Sequence, residues 1–212
     1  MAACPQWDKS AELESHLKVE LCKAARLAEQ DRNLEAEAAF AALLRRYAAA
    51  LSEARFRYLY EDLQCRRALA LCALERYNEA IPILREAKFF AFDTKADKQR
   101  VHFLLGLCLQ ETGDHDSARA ELCRVLSFNL MNAEEEQALW RLAIYNYRRG
   151  ALAQAKEQLE RLLRDFRGGN PAISRKHVYE MLARIFQHLG DSQQQRHYTE
   201  LTKRTLTYSA AA

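Results

Sequence analysis

The sequence repeats a pattern of two helices separated by a glycine, and this pattern restricts the fold more than any other feature. Gly113, Gly150 and Gly190 recur at nearly equal intervals. Each glycine follows a stretch with the apolar spacing of a helix and precedes a second such stretch. A glycine between two amphipathic helices favours a left-handed C-cap that reverses the chain. A period of roughly 40 residues therefore indicates an array of helix pairs.

Two earlier repeats fit the same scheme without a turn glycine, one near Asn33 and one near Arg76. One slot near the start of the second helix can be followed through all five repeats. It is occupied by Ala36, Ala80, Ala118, Ala155 and Gln195, and the interval from Ala36 to Ala80 is the widest. We expect ten helices in five antiparallel pairs, with the stretch from Ser52 to Leu74 accounting for that widest interval.

Capping signals predict where several helices begin and end. The predicted caps are Asn78, Thr94 with Asp97, Asn132 with Glu135, and Asn170 followed by Pro171. Pro82 is expected close to the first turn of its helix, where proline is tolerated. Gly168 and Gly169 are expected to close the fourth repeat.

Composition agrees with a helical globular protein. Glycine and proline together supply nine of the 212 residues, against a usual share of about 12%, and a sheet-rich domain needs more turns than that. Apolar residues make up 49% and charged residues 29% of the chain, which argues against disorder. No apolar run approaches the roughly 20 residues that span a bilayer, so we expect no transmembrane segment.

The cysteines predict a reducing compartment. Their positions are Cys4, Cys22, Cys65, Cys72, Cys108 and Cys123. They form no CxxC pair and no short spacing typical of a disulfide framework or a zinc site, and most lie among apolar residues of helical segments. The segment from Met1 to Glu14 contains neither the basic part nor the apolar core of a secretory signal. We expect a cytoplasmic location.

The repeats resemble the tetratricopeptide repeat (TPR) family. The third repeat matches best, at Leu105, Gly106, Leu109, Gly113, Asp114, Ala118 and Leu122. The fourth repeat follows, with matches at Leu142, Ala143, Gly150, Leu152, Ala155 and Leu159. In the second repeat, Tyr77 to Ala80 resembles the start of the family's second helix. The fifth keeps Leu182, Ala183 and Gly190 but has Gln195 in the alanine slot. The repeats are longer than the family's unit of about 34 residues and lack its closing proline, except for Pro171.

The resemblance implies an all-α fold, a right-handed α-solenoid of antiparallel helix pairs. It implies a single repeat domain over residues 1–212, with repeats at about 12–50, 52–92, 95–130, 133–168 and 171–207. It also implies a non-enzymatic scaffold or adaptor whose concave groove binds a peptide or helix of a partner protein.

If the first helix of each repeat lines the groove, as in the family, the groove residues can be assigned. They are Cys65, Leu69, Phe103, Leu107, Trp140, Ile144, Tyr147, Arg148 and Arg184, with Leu21 and Ala25 at the start of the groove. The early positions lack the lysine and asparagine with which family members hold chaperone C-termini. We therefore expect an apolar helix or segment with an acidic flank. The alternative is that Phe103, Trp140 and Tyr147 only pack between neighbouring helices.

Charge suggests a second function. Residues 1–140 carry a net charge of −4 and residues 141–212 a net charge of +7. The cations concerned are Arg141, Arg148, Arg149, Arg161, Arg164, Arg167, Arg175 and Lys176. They could bind nucleic acid or an anionic surface, or they could simply solvate the helices. No helix-turn-helix or RNA-stacking motif accompanies them.

Nothing in the sequence predicts catalysis, a metal or a cofactor. It contains no GxSxG, Walker loop, GxGxxG or HExxH motif. His177 and His188 would lie about 16 Å apart along one helix, too far for one metal ion to bridge.

Overall fold

The computed structural model describes residues 9–165 and 173–209. Within those ranges the chain forms eleven α-helices, one short 3-10 helix at Ala54–Phe56 and no strand. The α-helices are α1 (Lys9–Glu29), α2 (Asn33–Arg46), α3 (Ala48–Leu51), α4 (Arg57–Ala73), α5 (Tyr77–Ala87), α6 (Lys95–Glu111), α7 (His115–Ser127), α8 (Ala133–Arg148), α9 (Leu152–Asp165), α10 (Arg175–His188) and α11 (Ser192–Ser209). The predicted all-α class is confirmed. The wide spacing of the first two repeats arises from α3 and the 3-10 helix, which are inserted between the pairs α1–α2 and α4–α5.

The same turn joins the two helices of every pair. Its central residue has a positive φ: 88° at Gly113, 75° at Gly150 and 76° at Gly190. Asp31 and Glu75 occupy the same position in the first two repeats, each with a φ of 58°. The amide after the central residue donates to a carbonyl five residues earlier, as from Asp114 to Leu109 at 2.9 Å. The five turns are therefore Schellman caps, which satisfy carbonyls at the end of the first helix.

Replacing Glu75 with glycine is expected to raise the free energy of unfolding by about 0.5–1 kcal/mol. A left-handed conformation costs an L-residue roughly 1–2 kcal/mol, and the greater entropy of unfolded glycine offsets part of that gain. The Glu75 side chain is exposed, so little packing is lost. Urea denaturation measures the change.

Gly113→Ala is the matched control for Glu75→Gly. It should lower stability by about 1 kcal/mol through backbone strain alone, since an added Cβ there meets nothing within 4 Å. A less stable Glu75→Gly variant would contradict this explanation of the turn.

Small residues let the two helices of a pair approach each other. Ala36, Ala80, Ala118 and Ala155 lie five residues after the turn residue and are 0–2% exposed. Gly106 performs the same role from the first helix of its pair. A Cβ built on Gly106 would lie 3.0 Å from the Leu122 side chain, closer than side chains normally pack.

The chain divides into two compact units. The first comprises residues 1–94 and 107–114, and the second comprises residues 95–106 and 115–212. The core of the first unit contains Leu17, Phe40 and Leu63. Clusters in the second unit include Leu142 with Val125, and Leu159 with Leu182. The assignment of residues 1–212 to a single domain stays a prediction.

The predicted helix starts are right in one case and wrong in others. Asn132 caps α8, accepting a hydrogen bond from the Glu135 amide at 3.1 Å. Asn78 does not cap α5, because that helix begins at Tyr77 with Arg76 at the cap position, and Pro82 lies in the middle of the helix.

The start of α10 also differs from the prediction. That helix begins at Arg175, where Ser174 and His177 form a capping box. The predicted cap Asn170–Pro171 and the glycines at 168 and 169 lie outside the described residues.

Candidate functional site

Two aromatic residues of α8 contact histidines of α10 in the second unit. The Trp140 ring centroid lies 6.4 Å from that of His177. The Tyr147 hydroxyl lies 3.0 Å from His188 Nε2, with ring centroids 5.7 Å apart. Both aromatic side chains are half-buried against the cluster that contains Leu159 and Leu182. Trp140 and Tyr147 therefore join two helix pairs and keep part of each ring accessible.

Ile144 completes a stripe along α8 with Trp140 and Tyr147. Ile144 is half-buried, and the three residues follow the i, i+4, i+7 spacing of one helix face. Arg148 follows the stripe and is exposed. We call Trp140, Ile144, Tyr147 and Arg148 the α8 stripe. It combines apolar surface with a cation at its C-terminal end.

Arg184 lies on α10 at a cleft of about 360 Å³. The lining residues are Glu180, Ala183, Arg184 and Gln187 from α10, and Gln195, Thr199 and Thr202 from α11. Within the described ranges, neither Arg148 nor Arg184 forms an ion pair. Both guanidinium groups are thus available to an anionic group of a ligand.

Phe103 lies in the core and not on a groove surface. It is 7% exposed and packs with Leu122, Val125, Ala138 and Leu142. The prediction placed the whole inward face of α6 on the groove, but at this position that face is covered by α7 and α8. Phe103 therefore takes the alternative role, packing between neighbouring helices, and is not part of the proposed binding surface.

The groove residues predicted in the first unit are only partly accessible. Leu69 is 38% exposed, whereas Cys65 on the same helix and Leu107 on α6 are half-buried. Leu21 is a core residue at 6% exposure, and Ala25 is half-buried. Of these five residues, Leu69 alone offers substantial apolar surface.

A larger cleft of about 770 Å³ in the first unit was not predicted. Its lining residues are Ala41, Leu44, Arg45, Ala48, Leu51, Ser52, Glu53, Ala54, Arg57, Tyr60, Gln64 and Arg67. The insertion of α3 and the 3-10 helix opens it between α2 and α4. The wide interval from Ala36 to Ala80 is the sequence signal for such an insertion, although it does not indicate a cavity.

Acidic partners neutralise two arginines of that cleft. Arg57 forms an ion pair with Glu61 at 2.8 Å, and Arg67 forms one with Glu37 at 2.9 Å. Arg76 also contacts Glu37, at 3.2 Å. Hydrogen bonding to the exposed Glu79 carboxylate raises the pKa of Arg76 above its usual range. These carboxylates leave the cleft with little net positive charge for a ligand.

Most of the basic residues of the second unit also have partners. Arg161 binds the buried carboxylate of Glu135, and Lys176 lies 3.8 Å from Glu180. Arg149 donates to the Tyr145 hydroxyl at 3.0 Å. Arg141 and Arg175 have interaction partners as well, and Arg167 lies outside the described residues. The net charge of +7 therefore does not correspond to a continuous array of unpaired cations.

Two other kinds of site are absent from the part of the chain that the structure describes. Among residues 9–165 and 173–209, no group of three or more histidine, cysteine or acidic side chains could hold a metal ion. No helix in those ranges combines the length and apolar character needed to cross a bilayer.

Sequence comparison identifies two of the repeats. Profiles of the tetratricopeptide repeat match residues 99–130 and 137–168. These ranges correspond to the pairs α6–α7 and α8–α9, the two in which the turn glycine and the small residues are most complete. No curated protein matches the chain significantly.

Solved structures share the arrangement of helix pairs. MamA, at 13% identity, aligns over 89% of this chain and 97% of its own with a TM-score of 0.69. The TPR-like repeats of a Podosopora anserina kinesin light chain, at 20% identity, align over 93% and 98% with a TM-score of 0.66. YrrB is described as a TPR protein with an unusual peptide-binding site. At 13% identity it aligns over 85% of this chain and 81% of its own, with a TM-score of 0.62. These similarities identify the fold as a TPR-type α-solenoid.

Proposed function

Because the chain belongs to the tetratricopeptide repeat family, we propose that it is a non-enzymatic scaffold that binds a partner protein along α8 and α10. The occupant is a peptide or helix with apolar side chains followed by an acidic group. The α8 stripe carries this proposal. It offers the i, i+4, i+7 spacing with which an amphipathic segment is bound, and Arg148 stands where the acidic group would lie.

Two further observations support binding on this side of the second unit. Arg184 supplies a second unpaired cation on the neighbouring helix, beside the 360 Å³ cleft. YrrB, which shares the fold, is described as having a peptide-binding site. We also propose a cytoplasmic location, supported by the scattered cysteines, since the five in the described part of the chain are all free thiols.

Replacing Arg148 and Arg184 with glutamate is expected to weaken peptide binding by about tenfold or more. The change turns two attractive charges into repulsive ones without touching the core. The probe is a displayed library of random peptides, from which binders are selected on the full chain and measured by fluorescence anisotropy. We expect selected peptides to combine apolar residues with aspartate or glutamate.

Arg164→Glu is the matched control for this experiment. Arg164 is exposed on α9, and its replacement should leave peptide affinity within about twofold. Circular dichroism confirms that each variant is folded. Equal affinity of the selected peptides for the Arg148→Glu, Arg184→Glu double variant would refute the proposed surface.

The competing function is binding of nucleic acid or an anionic surface through the basic C-terminal repeats. The ion pairs of Arg161 and Lys176 make it the weaker proposal. Anisotropy with labelled single-stranded RNA and duplex DNA at about 50 mM salt tests it. This alternative would be favoured if RNA or DNA bound with an affinity that falls steeply with added salt and if no peptide binder could be selected.

A further inference from the structure

Two cysteines of the first unit lie in direct contact. Cys72 is near the end of α4 and Cys108 is near the end of α6, so they belong to consecutive helix pairs. Their Sγ atoms are 3.3 Å apart. Cys108 is fully buried and Cys72 is half-buried. Both are free thiols, and the packing of the two helices holds them face to face.

This contact changes the acidity of both thiols. The hydrogen bond from Cys72 lowers the pKa of Cys108 in spite of its burial. The same bond, together with burial, raises the pKa of Cys72. The first thiolate to form is therefore stabilised by the remaining S–H group, and thiolates are the reactive form of cysteine.

We propose that Cys72 and Cys108 form a dithiol modification site that a peroxide converts to an intramolecular disulfide between α4 and α6. The atoms are already close. A disulfide requires an S–S distance of about 2.05 Å, so the two sulfurs must approach by roughly 1.3 Å from their 3.3 Å separation.

The reaction takes place in two balanced steps. One sulfur of the pair, as thiolate, attacks a peroxide oxygen; an S–O bond forms, the O–O bond breaks, and the hydroxide released takes up a proton to become water. The second sulfur then attacks the sulfenic sulfur; an S–S bond forms, the S–O bond breaks, and the departing hydroxide takes the proton of the second thiol and leaves as water. Two thiols are oxidised by two electrons and one hydrogen peroxide is reduced. A dithiol reductant reverses the modification by thiol–disulfide exchange.

Other cysteines serve as internal references. Cys22 and Cys123 are exposed free thiols. They are more accessible than Cys72 and Cys108, but neither contacts another thiol within the described part of the chain. We expect them to stop at the sulfenic acid or to oxidise further, because an isolated sulfenic acid has no neighbouring thiol to attack it.

The test exposes the full native chain to a small molar excess of hydrogen peroxide, followed by alkylation, proteolysis and mass spectrometry. We expect a peptide that links Cys72 to Cys108, with a mass about 2 Da below the sum of the two reduced peptides, and dithiothreitol should separate it into those peptides. The melting temperature should rise by about 5–10 °C, since the cross-link closes a loop of 36 residues in the unfolded chain.

Variants separate this reaction from general oxidation. Cys72→Ser and Cys108→Ala should each abolish the linked peptide and the rise in melting temperature, whereas Cys123→Ser should retain both. Because Cys108→Ala changes the core, the half-buried Cys72→Ser variant is the primary one.

A measurement without oxidant keeps the test independent of peroxide chemistry. Phenylarsine oxide, which bridges paired thiols, should bind one equivalent to the native chain and none to Cys72→Ser. Oxidation of Cys22 and Cys123 with no Cys72–Cys108 peptide would overturn the proposal, and so would a linked peptide that forms only in urea.

Discussion

Replacing His102 with alanine is expected to lower the free energy of unfolding by about 3 kcal/mol. The His102 imidazole is 7% exposed, and its Nδ1 lies 2.7 Å from the Glu121 carboxylate, which is itself 8% exposed. Removing one member of a buried pair destabilises a protein by roughly 3–5 kcal/mol, because the remaining group stays away from water with fewer partners. The ring also packs 5.9 Å from Phe128. Urea denaturation followed by circular dichroism measures the loss.

Arg100→Ala is the matched control on the same helix. Arg100 forms an ion pair with Glu134 at 3.1 Å, but its side chain is 51% exposed. Exposed pairs contribute about 0–1 kcal/mol, so this variant should be close to the unmodified chain. If His102→Ala lowered the free energy of unfolding by no more than Arg100→Ala does, the buried pair would not stabilise the fold.

A double variant isolates the cost of removing only one member of the buried pair. Replacing both His102 and Glu121 with leucine removes both members of the buried pair together. Such replacements are often neutral or stabilising. We therefore expect the double variant to be more stable than His102→Ala, and the difference measures what Glu121 loses when its histidine is removed.

The repeat architecture could be predicted because its signals are local. The spacing of Gly113, Gly150 and Gly190 indicates a turn chemistry that operates within about six residues, and the structure has that turn five times. The same register locates the turn residues Asp31 and Glu75, which no glycine marks. Each lies five residues before the alanine slot.

Sequence-based predictions are wrong where two local signals compete, or where the packing of neighbouring helices determines whether a residue is exposed. Asn78 is the better capping side chain, yet α5 begins two residues earlier than an Asn78 cap would allow, because the Schellman turn at Glu75 fixes the chain direction. Phe103 has the periodic position of a groove residue, but α7 and α8 cover it. Helical periodicity assigns a residue to a face, and only the neighbouring helices determine whether that face is open.

Long-range partners could not be predicted either. Glu37 and Arg67 are 30 residues apart, and His102 and Glu121 are 19 apart. Nothing in the spacing of these residues distinguishes them from solvated charges. The contact of Cys72 with Cys108 is of the same kind, since both thiols satisfy an apolar pattern on their own helices. The contacts of Glu37 with Arg67 and of Cys72 with Cys108 follow from the stacking of one helix pair on the next, and that of His102 with Glu121 follows from the packing of α6 on α7.

The outer face of α11 is polar at positions where the second helix of each earlier repeat is apolar. In the first four repeats, the positions five, nine and twelve residues after the turn are apolar and buried, as with Ala155, Leu159 and Leu162. Those three pack in one cluster with Val178, Leu182 and Ile185 of the next pair. The fifth repeat has Gln195, Thr199 and Thr202 instead, and these line the solvated 360 Å³ cleft.

The two threonine hydroxyls are satisfied within α11 itself. Thr199 donates to the Gln195 carbonyl at 2.8 Å, and Thr202 donates to the Tyr198 carbonyl at 3.0 Å. Neither hydroxyl needs a partner from another helix. Their polar side chains therefore leave this face without the apolar surface of the earlier repeats, and leucine at these positions would supply it.

Replacing Gln195, Thr199 and Thr202 with Ala, Leu and Leu is expected to cause concentration-dependent self-association in the micromolar range. The substitutions give the last repeat an apolar face like the one that α9 of the fourth repeat buries against α10. Burying a leucine side chain contributes roughly 1.5–3 kcal/mol, and a dimer would bury two sets of them. Sedimentation velocity across a concentration series, compared with the unmodified chain, measures the change in mass.

A further substitution distinguishes association through this face from non-specific hydrophobic association. Gln187 lines the same cleft from α10 and is exposed. Adding Gln187→Glu to the triple variant places a charged side chain where a docking helix would lie, so association should weaken by about tenfold or more. If the quadruple variant associates as strongly as the triple variant, the contact lies elsewhere. If the triple variant does not associate at all, the threonines are not what keeps this face from stacking.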